Sequence, residues 1–268
     1  MMGGLTLGPF SFPAGLLTAF AAIVAMVIVG ERYGRKHGVQ IERSLWLVIG
    51  IALLAARVVY VLRFAHVYME APLTILSIRD GGFSTAGGLA AGAACAAFLG
   101  WRKRHHLKPL WLAAGAGVTV FGLATVAGMV LPQRSPPLPQ VAMERLEGGT
   151  LAFSGLVGKP VVVNLWASWC GPCRREMPVL RQAQLDHPEV TFIFVNQGES
   201  AETIRAYLTS QNLKLDNIVL DVRSQMGRAL GSRALPTTFF FDAQGVLRGR
   251  RVGEVSAATL SEQLASQK

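Results

Sequence analysis

The apolar residues of this chain follow two different patterns, one in each half. In the first 131 residues they form four long runs, each close to the roughly 20 helical residues that a bilayer requires. These runs cover approximately residues 10–29, 45–62, 83–99 and 110–131. After residue 140, short β-branched runs alternate with segments whose apolar residues recur at helical spacing. The pattern predicts an α-helical membrane domain of about four transmembrane helices, followed by an α/β domain.

Charged residues in the first half predict its orientation. Residues 1–139 carry 12 Lys/Arg and 4 Asp/Glu and residues 140–268 carry 14 and 12, so most of the net charge of +10 belongs to the apolar half. The positive-inside rule places the loops that hold this basic excess in the cytoplasm, and everything after Leu131 outside. Charge bunched between apolar runs is typical of membrane topology and not of nucleic-acid binding. The loops carry Arg32, Arg35, Lys36 and Arg43, and then Arg102, Lys103, Arg104 and Lys108.

Three features of the membrane runs bear on function. No positive charge precedes the first run, as a cleaved signal peptide would require, so we expect this run to be retained. The third run contains a GxxxG sequence at residues 88–92, which permits close packing of helices in lipid. It also contains Cys95, which we interpret as a small buried side chain. Because electron transfer across a membrane by thiol exchange needs a cysteine pair there, electrons for the second half must come from another protein.

The candidate chemistry lies in the sequence Trp169-Cys170-Gly171-Pro172-Cys173. A β-branched apolar run at 161–166 precedes it and a helical pattern follows it, so the pair is predicted at the start of a helix. There, free N–H groups and the helix dipole favour a thiolate at Cys170, and Cys173 can attack a mixed disulfide formed at Cys170. The pattern predicts a dithiol–disulfide exchange site. No second CxxC or His pair completes a zinc site, and we expect neither a metal nor a cofactor.

The run VVVNLWASWCGPCRREMPVL resembles the active-site segment of the thioredoxin superfamily. It is most similar to the TlpA/ResA branch of membrane-tethered extracytoplasmic thiol–disulfide oxidoreductases. The later run Ala234-Leu235-Pro236-Thr237-Thr238-Phe239 is similar to the cis-proline loop of that family. The resemblance covers about the last 130 residues. It implies a thioredoxin fold and a cis Pro236 against the cysteines, with Trp169, Leu235, Pro236 and Thr237 contacting an extended substrate.

One position departs from the thioredoxin pattern. Thioredoxins carry a buried Asp in the strand before the motif, and this chain has Asn164, which cannot take a proton from Cys173. Glu176 matches a Glu common in the TlpA branch, which makes it the candidate for assisting proton transfer. The alternative is that Glu176 only favours the first turns of its helix through the dipole. The sequence leaves both interpretations open.

The expected thioredoxin-like domain spans residues 141–268. It follows a proline-rich linker at 132–140, whose composition favours an extended, semi-rigid spacer. Besides the strand and helix around the motif, we expect a β-hairpin at 141–151 with its turn at Gly148-Gly149. The remaining expected strands are 190–196, 218–221, 237–241 and 246–252, and the remaining expected helices are 201–211, 225–230 and 256–265.

The membrane half, residues 1–131, bears a second resemblance. Residues 56–62 and 80–89 are similar to the corresponding region of prolipoprotein diacylglyceryl transferase. That family carries a functionally important His where this chain has Ala86, and its later Arg- and Asn-bearing signature and remaining helices are absent. We therefore interpret this half as a truncated, remodelled anchor. Arg57 lies within the second run, near its outer end, and we expect its side chain to snorkel to the lipid headgroups.

These observations predict a multi-pass protein of the bacterial inner membrane whose C-terminal domain faces the periplasm. The predicted activity is that of a thiol–disulfide oxidoreductase, in the direction of reducing protein disulfides. The expected partners are periplasmic disulfide-containing proteins, a DsbD/CcdA-type membrane electron donor and membrane lipids. The alternatives are a diacylglyceryl transferase-like function in the membrane half, an oxidase or isomerase direction of the same chemistry, and a non-catalytic module that binds unfolded chains.

Overall fold

The chain divides into two compact units, one made of Ala14–Pro132 and one that includes Gln133–Lys268. The computed structural model describes residues 5–7, 10–12, 14–70, 72, 75, 81–130, 136–265 and 267. The predicted domain boundary and the first part of the predicted linker 132–140 lie outside these residues. The described end of that linker is not a free spacer. Leu138 is buried in the core of the C-terminal unit, and its N–H donates to the carbonyl oxygen of Gly245 (3.0 Å).

The first unit consists of helices, preceded by a short antiparallel hairpin of β1 (Leu5–Leu7) and β2 (Phe10–Phe12). The helices are α1 (Ala14–Lys36), α2 (Glu42–Arg63), the short α3 (Ala65–Glu70), α4 (Thr85–Arg102) and α5 (Arg104–Val130). Helix α1 packs along α5, and α2 packs along α4. A small buried core between them is formed by Leu45, Ile49, Leu110 and Ala113.

The expected number of membrane spans needs correction. Among the described residues, three helices rather than four are long and apolar enough to cross a bilayer. The third predicted span does form α4, but this helix has only 18 residues and includes the charged Arg102, and it is not among the three. The first predicted span begins too early, because Phe10–Phe12 form a strand and α1 starts at Ala14. The three candidate spans are Leu17–Lys36, Glu42–Arg63 and Arg104–Gly128.

The GxxxG sequence of α4 packs against α2, as predicted. A Cβ on Gly88 would lie 3.0 Å from the Cβ of Ala56 and 3.1 Å from the carbonyl oxygen of Ala52. A Cβ on Gly92 would lie 3.2 Å from the Cβ of Ala52. The two backbones thus approach as closely as small residues allow. Cys95 of the same helix is a free cysteine and is half-buried rather than buried.

Arg57 does not snorkel, so that prediction is wrong. The residue is only 9% exposed. Its Nη1 donates to the carbonyl oxygen of Gly82 (2.8 Å) and its Nη2 to that of Ile75 (3.0 Å). The guanidinium also lies 5.5 Å from the ring centre of Tyr68 and 5.8 Å from that of Phe83. Backbone carbonyls and aromatic faces inside the unit therefore solvate this charge in place of lipid headgroups.

The second unit confirms the expected thioredoxin-like α/β fold. Its elements are the hairpin β3 (Ala142–Glu144) and β4 (Thr150–Ala152), β5 (Val161–Trp166), α6 (Gly171–Asp186), β6 (Thr191–Gln197), α7 (Ala201–Ser210), β7 (Ile218–Asp221), α8 (Gln225–Ala229), β8 (Thr237–Phe241), β9 (Leu247–Val252) and α9 (Ala257–Ala265). Most predicted ends lie within one residue of those observed. The sheet has the strand order β7-β6-β5-β8-β9, with β5 parallel to β6 and antiparallel to β8.

Strand β5 is the centre of this sheet, and all six of its residues are buried. Its side chains alternate between the two faces, as strand geometry requires. Val162 and Trp166 belong to the core cluster that contains the cysteines and the inner face of α6. Val161, Val163 and Leu165 belong to the cluster on the other face. By the same alternation Asn164 points to the α6 face, where a polar side chain needs partners.

The α2–α4 contact predicts the effect of enlarging one glycine. Gly88→Leu forces the two helices apart, and overpacking of this kind costs about 1–3 kcal/mol. We expect a lower thermal-unfolding midpoint of the full-length protein in detergent. Gly50→Leu is the matched control, because it adds the same side chain on α2 where a Cβ meets no atom within 4 Å. Equal midpoints for the two variants would contradict this packing.

Candidate active site

The two cysteines lie where β5 gives way to α6. Cys170 is the N-cap residue of α6, and its Sγ accepts a hydrogen bond from the backbone N–H of Cys173 (3.2 Å). The two sulfurs are joined in a disulfide. Pro172 stands in the first turn of the helix, where its fixed φ fits and its missing N–H is not needed. In the reduced protein, the free N–H groups of this turn would face the Cys170 sulfur and favour its thiolate.

The two sulfurs differ in their access to solvent. Cys170 is 6% exposed and Cys173 is fully buried. Trp169, next to Cys170, is 70% exposed. An incoming disulfide can therefore reach Cys170 before Cys173, past an exposed indole that offers apolar contact. This difference matches the roles that the sequence predicts for the two cysteines.

The proline loop lies at the same edge of the sheet as the cysteines. Leu165 pairs with Thr237, so the start of β8 is beside the end of β5. The Leu235–Pro236 peptide bond is cis, as the resemblance implied. Thr237 is buried, and its hydroxyl donates to the carbonyl oxygen of Ala234 (2.7 Å), which shapes the loop. Contact of Thr237 with a substrate remains a prediction, as it does for Trp169, Leu235 and Pro236.

Glu176 lies on the buried face of α6, and its carboxyl connects this helix to β5 and to the segment before α9. Its Oε1 accepts from the Nδ2 of Asn164 (2.8 Å), and its Oε2 accepts from the backbone N–H of Val255 (2.8 Å). The Nδ2 of Asn164 also donates to the hydroxyl of Thr238 (3.0 Å). Cys173 and Glu176 are three residues apart and both buried, which places them on one face of the helix. A residue that acted only through the helix dipole would not need this arrangement.

Burial raises the pKa of Glu176 to about 8, even though the hydrogen bonds from Val255 and Asn164 lower it. The nearby charge of Glu254 raises it further. Near neutral pH, most molecules therefore carry a protonated Glu176. Asn164 fits this state. Its Oδ1 is buried and accepts no hydrogen bond from the described residues, and rotation of the amide would turn it towards the Glu176 proton.

Comparison with known proteins agrees with this geometry. Residues 136–250 match the AhpC/TSA family, and residues 5–130 match the prolipoprotein diacylglyceryl transferase family. The thiol:disulfide interchange protein DsbE of Pseudomonas fluorescens biotype C is 32% identical over 139 residues, which are 51% of this chain and 77% of that protein. The thiol-disulfide oxidoreductase ResA of Bacillus subtilis (strain 168) is 30% identical over 158 residues, 58% of this chain and 84% of that protein.

The chain belongs to the thiol-disulfide oxidoreductase family of DsbE and ResA. A thioredoxin-family thiol:disulfide interchange protein of Chlorobium tepidum TLS is a similar solved structure, at 26% identity and a TM-score of 0.45, over 51% of this chain and 99% of that one. The matches to DsbE, ResA and the diacylglyceryl transferase family confirm both resemblances found in the sequence. This thiol-disulfide oxidoreductase carries its CxxC pair in the C-terminal half and a diacylglyceryl transferase-like domain in the N-terminal half.

The oxidoreductase site contains one residue that the sequence interpretation missed. Glu199 follows β6, and its Oε2 accepts from the backbone N–H of Ser168 (2.7 Å) and from the Nδ2 of Asn196 (2.7 Å). Its Oε1 accepts from the hydroxyl of Ser168. Glu199 thus fixes the loop just ahead of Cys170. The sequence signal that could have found Glu199 was the polar run after β6. The end of β6 pairs with the end of β5 through Asn196 and Trp166, which places this run beside the loop before Cys170.

The described residues contain no group of three or more His, Cys, Asp or Glu side chains that could hold a metal ion.

The raised pKa of Glu176 predicts how the stability of the oxidised protein depends on pH. Below the ordinary pKa of Glu, the carboxyl is protonated in both the folded and the unfolded chain. As pH rises towards about 8, the carboxyl of the unfolded chain loses its proton first, because its pKa is lower. The free energy of unfolding therefore falls by a few kcal/mol, as an order of magnitude. Glu176→Gln removes the charge, and we expect its stability to change much less over this range.

Hydrogen exchange of the β5 amides, measured from about pH 5 to about pH 9 on the full-length oxidised protein, checks this expectation. Exchange rates need correction for the intrinsic effect of pH. Glu147→Gln is the control, because Glu147 is an exposed Glu of the same unit. A wild-type protein that is as stable at the upper end as at the lower end would show that Glu176 is an ordinary carboxylate.

Proposed function

We propose that this oxidoreductase reduces protein disulfides on the periplasmic side of a bacterial inner membrane, with Cys170 and Cys173 as its catalytic pair. The observation that carries the proposal is the unequal access of two sulfurs held at one helix N-terminus. A thiolate at the more accessible Cys170 is placed to meet a substrate. The buried Cys173 is placed to meet only what is already bound to Cys170.

The reaction balances as two thiol–disulfide exchanges. The Cys170 thiolate attacks one sulfur of a substrate disulfide, forms a mixed disulfide and releases the other substrate sulfur as a thiolate. Cys173 then loses its proton and attacks the Cys170 sulfur, which releases the second substrate sulfur. Two electrons pass to the substrate, and the enzyme is left with the Cys170–Cys173 disulfide.

Glu176 is the proposed acceptor of the Cys173 proton. A buried carboxyl with a pKa of about 8 is ionised in a minor fraction of molecules near neutral pH, and it holds the proton well once it has taken it. Loss of the Cys173 proton would therefore leave the oxidised enzyme with a protonated Glu176. When electrons return, the same proton is available to Cys173. Asn164 and the N–H of Val255 position the carboxyl for both steps.

The reducing direction is supported by the Gly-Pro pair between the cysteines, which matches that of thioredoxin. Potentials of CxxC proteins range from about −270 mV for thioredoxin to about −120 mV for DsbA. Electrons for Cys170 and Cys173 would come from a membrane donor of the DsbD/CcdA type. Cys95 is the only other cysteine in the sequence, so the membrane half has no pair that could supply them.

The periplasmic location is supported by the basic loops. Ser44 lies in the first turn of α2, just after the first loop, and His106 lies in the first turn of α5, just after the α4–α5 junction; the two side chains share a hydrogen bond of 3.0 Å. Both loops therefore lie at one end of the helical unit, as the positive-inside rule requires if both are cytoplasmic. Helix α4 runs back along α2, with Gly88 beside Ala56 and Gly92 beside Ala52, so α5 starts at this end. After α5 the chain would then leave the membrane on the other side.

A substitution at Cys173 tests the proposal. In Cys173→Ala the first exchange proceeds and the second cannot, so we expect mixed disulfides between Cys170 and exported proteins to accumulate in cells. Affinity purification of full-length protein from alkylated cells, with non-reducing electrophoresis and mass spectrometry, identifies the trapped partners.

The control for trapping is Cys170→Ser in the Cys173→Ala background, which should trap no partner. Trapped proteins that are all cytoplasmic would overturn the proposed orientation. If Cys170→Ser leaves the function of the protein in cells intact, a non-catalytic binding module is favoured over an oxidoreductase.

The match of residues 5–130 to the diacylglyceryl transferase family supports a second candidate, a lipid-transferring activity of the membrane half. Ala86 argues against it, because a methyl group cannot exchange a proton where the resemblance calls for His. We expect the purified protein to transfer no diacylglyceryl group from phosphatidylglycerol to a lipoprotein-type cysteine peptide, as measured by the mass of the peptide. Ala86→His, which introduces the His that the resemblance calls for, is measured in the same assay. Transfer by the wild type that is lost in Arg57→Ala would establish the second candidate.

A further inference from the structure

A cavity of about 880 Å³ opens at the end of the helical unit where the two basic loops meet. We call it the basic-loop cavity. One wall is formed by the end of α1, the loop to α2 and the start of α2, and Lys103 and His106 contribute the other wall. It is separate from the disulfide site, which lies in the other unit. It also lies at the opposite end of α2 from Arg57, since 13 helical residues between Ser44 and Arg57 span about 20 Å.

The lining of the cavity carries a small net positive charge and lies within a region of larger basic excess. Arg35, Arg43 and Lys103 line it, together with the carboxylates of Glu31 and Glu42. Glu31 is engaged by Arg35 in an ion pair of 3.3 Å. Within residues 31–44 and 102–108, eight Lys and Arg residues stand against these two carboxylates. The field at the cavity therefore favours an anion over a cation.

Hydrogen-bonding groups inside the cavity are suited to a phosphate. Ser44 and His106 are 6% and 5% exposed, and their mutual hydrogen bond closes the cavity between α2 and α5. Helix α2 begins at Glu42, and its N-cap residue Ile41 makes no side-chain hydrogen bond to the first turn. The start of α2 thus adds backbone N–H groups and the positive end of a helix dipole, which together attract phosphate groups.

The position of the cavity along the helices indicates where such a phosphate would come from. The candidate spans end at Lys36 and begin at Glu42 and Arg104, so the cavity lies level with the ends of all three. This is the depth at which a bilayer presents its headgroups. Basic pockets between transmembrane helices on the cytoplasmic side are known binding places for anionic headgroups.

We propose that the basic-loop cavity binds the phosphate of an anionic phospholipid headgroup in the adjacent leaflet. The lipid would join the α1–α2 loop to the α4–α5 junction and so hold the two halves of the helical unit together at this end. This binding does not require the dithiol chemistry, so it can be tested independently of the proposed function.

The test measures binding of phosphatidylglycerol to delipidated full-length protein in detergent, by native mass spectrometry and by the shift of the thermal-unfolding midpoint. Arg43→Gln/Lys103→Gln removes two charges that line the cavity. Arg32→Gln/Arg102→Gln is the matched control, because it removes two exposed charges from the same loops outside the cavity. We expect the affinity to fall about tenfold or more in the first variant and less than about twofold in the control.

Three further probes decide the chemistry of the ligand. Phosphatidylcholine with the same acyl chains should bind more weakly than phosphatidylglycerol, and equal binding would overturn an anionic site. Inorganic phosphate and glycerol phosphate should compete only at much higher concentrations. Competition at concentrations similar to that of the lipid would mean a site for soluble phosphate and would overturn the lipid assignment.

Equal losses of affinity in the two double variants would also overturn the proposal, because they would indicate diffuse surface attraction. If the double variant fails to fold, Lys103→Gln alone removes one exposed charge of the cavity, with Arg102→Gln as its control. The same comparison then applies: Lys103→Gln should weaken phosphatidylglycerol binding more than Arg102→Gln does, and equal effects would refute the site.

Discussion

The transition from a fully buried strand to a helix is the constraint on which the redox site depends. Because β5 is buried on both faces, the chain can change direction only after this strand ends. The short loop that follows leads to Cys170, the N-cap residue of α6. The helix that follows presents its unpaired N–H groups to that sulfur. Glu199 holds Ser168 from the neighbouring strand end, so the loop has little freedom. A thiolate stabilised by backbone groups needs this rigidity, since the hydrogen bonds act only at short range.

The buried carboxyl of Glu176 adds a second requirement to the same place. A carboxyl without access to water costs free energy when it is charged, and this cost is what keeps its proton available near neutral pH. The surrounding groups limit the cost without removing it: Asn164 from β5, and Val255 from the segment before α9. The proposed transfer of electrons and protons thus combines an accessible sulfur with an inaccessible acid.

The membrane half uses close packing and interior polar contacts in place of a large apolar core. Gly88 and Gly92 let α4 lie against α2, and Arg57 bonds to carbonyl oxygens within the unit. At the other end of α2, the two basic loops meet around the Ser44–His106 hydrogen bond. The match to the diacylglyceryl transferase family is consistent with a scaffold that has kept its helix packing, while Ala86 lacks the proton-exchanging group expected there.

The sequence by itself determined the dithiol motif, the order of strands and helices in the second half, and the apolar character of the first. Residues close together in the chain determine each of these features, because the periodicity of apolar residues is visible within one strand or a few helical turns. Only the tertiary structure decided that Arg57 is satisfied internally and that Glu199 supports the cysteine loop. It also brought Glu176 to Asn164 and Val255, and Asn164 to Thr238, each across 12 or more residues of sequence. Such contacts depend on strand register and on which faces are buried, and no local pattern encodes either.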